Sequence, residues 1–196
     1  MRPQNMIDTY KNFKELSEYK KEGLDFTIEM VNRESSCVVI AIHGGNIELG
    51  TTEIARAIAG EELSFYSFIG KGTEQECKET HITSTNFDEP KCNNLVSKSL
   101  KTLSIHGEGG VEDYVMVGGL DYELIEKISD ALKIGGFIIK TPSERINGNA
   151  PQNICNKCSS GAGIQLEISR GLRNKLLENP LEFSKFCKAI RSVIVF

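Results

Sequence analysis

Apolar and polar residues follow two distinct patterns along the 196-residue chain. Short runs of apolar and β-branched residues are typical of strands, whereas apolar residues spaced three and four positions apart are typical of helices. Strands are predicted at about 25–31, 37–42, 63–69, 81–85, 102–106, 114–117, 136–140 and 164–168. Helices are predicted at about 8–20, 50–59 and 121–132, from a start within 86–90 to about 100, and from 171 to the C-terminus.

Strands and helices alternate along the chain, which predicts the α/β class. We expect residues 1–196 to form a single domain, with a mixed, mostly parallel sheet flanked by helices on both faces. The segment 141–161 is polar, rich in Asn, Ser and Gly, and longer than most connections. Loops of that length usually mark function or mobility.

Two of the apolar runs end on a histidine that is followed by glycine. His43 ends CVVIAIH, His106 ends TLSIH, and Glu48 stands just before the predicted helix at 50–59. In open α/β sheets, sites form at the carboxyl ends of strands, so the two histidines can converge there. Two imidazoles and one carboxylate are the ligand set of catalytic zinc sites, which keep a fourth position for water. Imidazole ligation favours zinc over magnesium.

Each of these residues also has a purely structural interpretation. A histidine at a strand end can be a hydrogen-bonded core residue, and a glutamate such as Glu48 is favoured near a helix N-terminus. The third histidine, His81, is a candidate substrate-binding residue in THITSTNFDEP. The pattern alone leaves it open whether His81 replaces His106 as a ligand.

A carboxylate in the predicted strand at 164–168 is the candidate general base. In IQLEIS, alternation places Gln165 and Glu167 on one face of the strand and apolar residues on the other. The alternative is an edge strand whose polar face meets solvent. Arg170 is the candidate partner of a substrate carboxylate, because guanidinium groups bind carboxylates in bidentate fashion. For Arg173 we expect an ordinary solvated charge on a helix face.

Composition and charge exclude several classes of protein. A net charge of −4 gives no support for a nucleic-acid partner, which usually requires a basic surplus. No apolar run approaches the roughly 20 residues that a membrane span needs. The polar N-terminal sequence lacks the apolar region of a signal peptide, so we expect a cytoplasmic protein.

Six cysteines are scattered through the chain, and their spacing does not require disulfides. Cys155 and Cys158 form a single C-x-x-C pair in a polar segment. A structural zinc site would require a second pair or suitably spaced histidines. We therefore interpret the pair as incidental and expect the cysteines to be mostly reduced.

Four segments taken together resemble the phage-type poly-γ-glutamate hydrolase family. They are HGGNIELGTTEIARAIAG, HITSTNFDEP, TLSIHGEGG and GAGIQLEISRGLR, and they occur in the order and at about the spacing of that family. The likeness extends from Tyr10 to the C-terminal helix. It implies a compact fold related to zinc carboxypeptidases, with zinc held by His43, Glu48 and His106 and with Glu167 as the general base. The resemblance also favours His106 over His81 as the third ligand.

The function implied by this resemblance is zinc-dependent hydrolysis of γ-glutamyl amide bonds in poly-γ-glutamate, an anionic polymer. We expect a monomer that binds neither nucleic acid nor membrane, and release on cell lysis is one route to an extracellular polymer. The sequence departs from the family pattern in NICNKCSSGAG, where two cysteines replace ordinary polar residues.

Three other functions fit parts of the sequence. One is a zinc-dependent deacylase or carboxypeptidase that acts on a small N-acyl or N-formyl glutamate. Another is a non-catalytic metal-binding module, although structural zinc sites usually have four protein ligands rather than three. The third is a thiol hydrolase. Against this function, the sequence places no histidine as the catalytic partner of any cysteine.

Overall fold

A computed structural model describes residues 8–195 as one seven-stranded sheet with helices on both sides. The strands are β1 (Phe26–Val31), β2 (Cys37–Gly45), β3 (Ser64–Gly70), β4 (Lys101–Glu108), β5 (Val115–Gly119), β6 (Ile139–Lys140) and β7 (Ile164–Ser169). The helices are α1 (Phe13–Tyr19), α2 (Thr51–Ala59), α3 (Glu74–Lys78), α4 (Pro90–Lys98), α5 (Tyr122–Ile134), α6 (Arg170–Glu178) and α7 (Pro180–Ile194), with a 3-10 turn at Ile154–Lys157.

The strand order is β1-β3-β2-β4-β7-β5-β6. The four neighbours β3, β2, β4 and β7 are mutually parallel, and β5 pairs with β6 in parallel. The pairs β1–β3 and β5–β7 are antiparallel. The predicted α/β fold with a mixed, mostly parallel sheet is thus confirmed. This order places the carboxyl ends of β2, β4 and β7 side by side.

The two faces of the sheet are covered differently. On the first face, apolar side chains such as Val39, Leu103 and Leu166 pack against α2, α5, α6 and α7. On the second face, apolar side chains of β1, β2 and β3 pack against α1 and α4. The β4 and β7 positions of this second face are polar instead: they carry Thr102, Ser104, His106, Gln165 and Glu167.

Two predicted elements are shorter than expected. Helix α1 begins at Phe13 rather than near residue 8, because the side chain of Asn12 accepts a hydrogen bond from Glu15 N and caps the helix. The predicted strand at 136–140 contributes only β6, because α5 runs further and Phe137 N closes it by donating to Leu132 O.

The predicted strand at 81–85 is wrong, because this segment is an irregular loop with a turn. Thr83 N donates to the Asp8 carboxylate, and Ser84 O accepts from Ile154 N, so its backbone groups pair outside any sheet. In the preceding polar stretch, α3 begins with a capping box of Thr73 and Glu76. The predicted C-terminal helix is two helices, since Asn179 ends α6 and also caps α7.

All six cysteines are buried and free, including Cys155 and Cys158 around the 3-10 turn. Within residues 8–195, no helix combines the length and the apolar character that crossing a bilayer requires.

Candidate metal centre

A β-bulge in β2 sets the direction of His43. Ala41 pairs with Ser67 and Gly44 pairs with Ile69, so Ile42 and His43 together face the single residue between those partners. A bulge of this kind re-aims the side chains that follow it. Strict alternation would place His43 with Ala41 on the first face. The bulge instead brings its ring to the second face, against Ile82 and His106.

The turn after β2 returns Glu48 to His43. Glu48 N donates to His43 O at 3.0 Å, and the Thr51 hydroxyl donates to both His43 O and Glu48 O. One carboxylate oxygen, Glu48 Oε1, lies 3.0 Å from His43 Nδ1. The other, Oε2, accepts from Gly107 N at 2.6 Å. Glu48 therefore joins the carboxyl ends of β2 and β4.

Both histidines are buried, each with 3% of its surface exposed, and their Nδ1 atoms lie 3.2 Å apart. His43 Nε2 lies 2.9 Å from Ile82 O. A carbonyl only accepts hydrogen bonds, so His43 Nε2 donates to Ile82 O, and Nδ1 is the ring nitrogen that faces Glu48 and His106. His106 Nε2 lies 2.9 Å from Ser104 Oγ, which turns its Nδ1 toward the same point.

The donor set fits a divalent metal ion. One ligand atom each from His43, Glu48 and His106 lies within 4.8 Å of the other two. Lone pairs and a carboxylate held this close repel one another unless a cation or a proton lies between them. The bond from His43 Nε2 to a backbone carbonyl is also the usual outer contact of a metal-ligating histidine. These features suit zinc with an open coordination position.

The charge state of Glu48 agrees with this assignment. Burial on its own raises the pKa of Glu48, but the neighbouring His43 and His106 outweigh it and hold the pKa well below the usual range. The carboxylate is therefore anionic and available as a ligand.

Glu167 lies beside the ligands. It is directly opposite His106 in the parallel pairing of β4 with β7. The edge-strand interpretation of this residue is wrong, because β7 lies between β4 and β5. Burial, together with the charges of Glu48 and Glu108, raises the pKa of Glu167 well above its usual value, and Arg173 and Arg145 oppose that shift.

Hydrogen bonds connect Glu167 to the long segment 141–161. Gln165 Nε2 donates to Glu167 Oε1 at 2.9 Å and to Ile146 O at 3.0 Å. Asn153 Nδ2 in turn donates to Gln165 Oε1 at 2.8 Å. The segment therefore covers the polar half of the second face through side-chain hydrogen bonds.

His81 lies over His43 rather than within the ligand set. The two rings are stacked with centroids 4.1 Å apart and planes 28° apart. His81 Nδ1 bonds to Asp8 Oδ1 at 2.7 Å. The alternative in which His81 replaces His106 is not the arrangement found, since the cluster of ligand atoms includes His106.

The arginines differ from the sequence-based expectations. Arg170 is exposed at the start of α6, as a substrate contact requires. Arg173 was expected to be solvated, but it is only 5% exposed, because its guanidinium extends beneath the strand ends to bind backbone carbonyls. Arg145 was missed. It is exposed and directly precedes Ile146. The Ile146 carbonyl accepts a hydrogen bond from Gln165 Nε2, the same nitrogen that donates to Glu167. The place of Arg145 in a long polar loop was the available signal.

The chain is similar to known proteins over most of its length. The family profile described as Poly-gamma-glutamate hydrolase matches residues 10–186. The SPbeta prophage-derived protein YoqZ of Bacillus subtilis (strain 168) is 42% identical over 171 residues, which are 86% of this chain and 61% of YoqZ. The chain thus spans less than two thirds of the length of that relative.

Two solved structures are similar over almost their whole length. A bacteriophage poly-gamma-glutamate hydrolase has a TM-score of 0.89 and 31% sequence identity, covering 96% of this chain and 97% of its own. A zinc-free apo form of YndL has a TM-score of 0.87 and 31% identity, with coverage of 96% and 98%. The resemblance seen in the sequence is therefore confirmed, and the chain belongs to the poly-gamma-glutamate hydrolase family.

Proposed function

We propose that this protein is a zinc-dependent hydrolase that cleaves γ-glutamyl amide bonds in poly-γ-glutamate. The observation that carries the proposal is the convergence of His43, Glu48 and His106 at one edge of the sheet, with Glu167 on the adjoining strand. Family membership supports the substrate, and the zinc-free form of YndL supports the identity of the metal.

Zinc held by the three ligands would act as a Lewis acid on the scissile carbonyl and would lower the pKa of a bound water. Glu167 takes a proton from the attacking water and then delivers it to the departing amine nitrogen. Its raised pKa suits both transfers, since a group that must accept and then donate works best when its pKa is near the working pH.

Exposed cations near the site would bind the polymer, which carries one free carboxylate on each γ-linked glutamate. Arg170 at the start of α6 and Arg145 on the segment 141–161 are the two candidates for this contact. Arg145 has the stronger support, because the side-chain amide of Gln165 donates both to the carbonyl of its neighbour Ile146 and to Glu167. His81 is the candidate for a polar contact close to the scissile bond, since its ring is stacked on His43.

Metal removal is the test of this proposal. Dialysis against EDTA should abolish the shortening of poly-γ-glutamate, measured by size-exclusion chromatography, and one equivalent of zinc should restore it. Full activity of the metal-free protein would reject the mechanism. Glu167→Gln should retain zinc but lower kcat by about 10²- to 10⁴-fold. The control Glu123→Gln, at an exposed position on α5, should leave kcat unchanged.

The same preparation distinguishes the alternatives. A deacylase or carboxypeptidase would hydrolyse small N-acyl or N-formyl glutamates faster than it shortens the polymer, whereas a metal-binding module would bind zinc and hydrolyse neither. We also propose that the protein acts as a monomer and reaches the polymer on cell lysis. Light scattering in solution tests the first of these two proposals.

A further inference from the structure

We propose that Arg173 is a positioning residue of the metal centre, because its guanidinium holds together the three backbone segments that carry the ligands and the base. The inference rests on the proposed function, since it concerns the same site. Arg173 lies on α6, is almost completely buried, and was expected from the sequence to be a surface charge.

The acceptors of Arg173 are all backbone carbonyls next to site residues. Nε donates to Leu49 O at 2.7 Å, directly after Glu48. Nη1 donates to Ile168 O, directly after Glu167, and to Glu108 O at 3.2 Å, two residues after His106. One planar group thus contacts the turn after β2, the end of β4 and the end of β7. Movement of any of these segments would change the spacing of the ligands or of the base.

Gly107 provides the space for this arrangement. A Cβ at this position would overlap the guanidinium of Arg173, so the strand end and the arginine approach each other only because the residue is glycine. The amide of Gly107 meanwhile donates to Glu48 Oε2 at 2.6 Å. Gly107 therefore contacts a ligand on one side and Arg173 on the other.

The charge and shape of Arg173 both matter. Burial lowers its pKa, and the nearby Glu48, Glu167 and Glu108 counteract that shift, so the guanidinium stays a buried cation. Its fork has five N–H donors in a fixed plane, which allows it to reach carbonyls in different directions. A lysine has one nitrogen on a flexible stem and does not reproduce this geometry.

Zinc affinity tests the proposal without any substrate. We would titrate the metal-free protein with zinc in competition with a chromophoric chelator, and record the visible spectrum of the cobalt-loaded protein. Arg173→Lys and Arg173→Met should each weaken zinc binding by about 10- to 100-fold, the usual effect of losing an outer contact of a ligand. Both should also alter the cobalt spectrum.

The matched control is Lys175→Met, which removes a positive charge from an exposed position on the same helix. It should leave the zinc affinity and the cobalt spectrum as in the wild type. If wild-type protein binds no zinc, the metal centre of the proposed function fails. If wild-type protein binds zinc and both Arg173 variants match it in affinity and spectrum, only the positioning role fails.

A variant that keeps Arg173 covers the case in which its substitution prevents folding. Gly107→Ala should weaken zinc binding in the wild-type background, because the added methyl displaces the guanidinium. The matched control Gly109→Ala, where an added methyl meets no atom within 4 Å, should leave zinc binding unchanged. A folded Gly107→Ala protein that binds zinc as tightly as Gly109→Ala would overturn the positioning role.

Discussion

The two faces of β4 and β7 are built from alternate residues of the same strands, yet they differ in chemistry and in what covers them. On the first face, Leu103 and Leu166 pack against helices in an apolar core. On the second face, His106 and Glu167 lie under polar loops, and each is hydrogen-bonded to a polar neighbour on its own strand, Ser104 and Gln165. The comparison teaches that one strand can contribute to stability through one set of side chains and to chemistry through the next.

The separation of the two faces has a physical basis. Apolar side chains are stabilised by helices that exclude water, whereas a metal centre needs polar ligands, counter-charges and access for substrate. Leu166 and Glu167 are adjacent in β7 but therefore meet different requirements: apolar burial for Leu166 and polar contacts for Glu167. Substitutions on the two faces should affect different measurements.

The largest expected effect on stability is that of Leu166→Ala. This side chain is completely buried on the first face, so its truncation should lower the free energy of unfolding by about 2–5 kcal/mol. Urea denaturation measures the change, with Glu167→Gln as the comparison on the opposite face. The folded Leu166→Ala protein should still bind one zinc. Loss of zinc from a protein of unchanged stability would contradict the separation of the faces.

Zinc itself should stabilise the protein through the second face. A ligand that binds only the folded state at 100 times its dissociation constant adds about 2.7 kcal/mol. Thermal unfolding with and without zinc should show this shift for the wild type and for Leu166→Ala, but not for His106→Ala. A zinc-induced shift that persists in His106→Ala would indicate that the ion binds elsewhere.

Asn153→Ala should have a smaller effect on both measurements. It removes the donor to Gln165 Oε1 and leaves a buried amide unpaired, which costs about 1–3 kcal/mol. Because Gln165 also holds Glu167, kcat should fall while zinc affinity stays the same. Asn149→Ala, at an exposed position in the same segment, is the control. An equal loss in both variants would assign the effect to the loop as a whole.

The smallest effect is expected for Asp8→Asn. The Asp8 carboxylate accepts from Thr83 N and bonds to His81, and so holds the loop that follows α3 over His43. An amide keeps part of this pairing, so the loss of stability should be about 0.5–1.5 kcal/mol in urea denaturation. No change in stability or in zinc affinity would show that the loop is held by its other contacts.

The sequence predicted what depends on local pattern. Apolar runs that end in His-Gly located β2 and β4, and alternation placed Glu167 correctly opposite the apolar side of β7. These features follow from strand periodicity, which a single segment displays. The family and its fold were also accessible, because four motifs in one order are specific.

Features that depend on distant contacts were not predicted. The segment 81–85 has the composition of a strand, but Thr83 N donates to Asp8 and Ser84 O accepts from Ile154 N at the 3-10 turn. Arg173 has the spacing of a surface residue, and only the strand ends above it explain its burial. The position of Arg145 near Glu167 likewise depends on the route of a long loop, which no periodicity encodes.

The bulge in β2 has a consequence for how the candidate metal centre tolerates change. Because Ile42 and His43 together face one partner, the alternation of side chains between the two faces of the sheet is interrupted just before His43. Regular pairing at unchanged length, with His43 opposite Ile69, would instead place His43 on the face of Ala41 and aim its imidazole at α2, away from His106. The candidate ligand set therefore depends on the bulge as much as on the identity of its residues, so a change that makes β2 regular at constant length would abolish metal binding with every ligand still encoded.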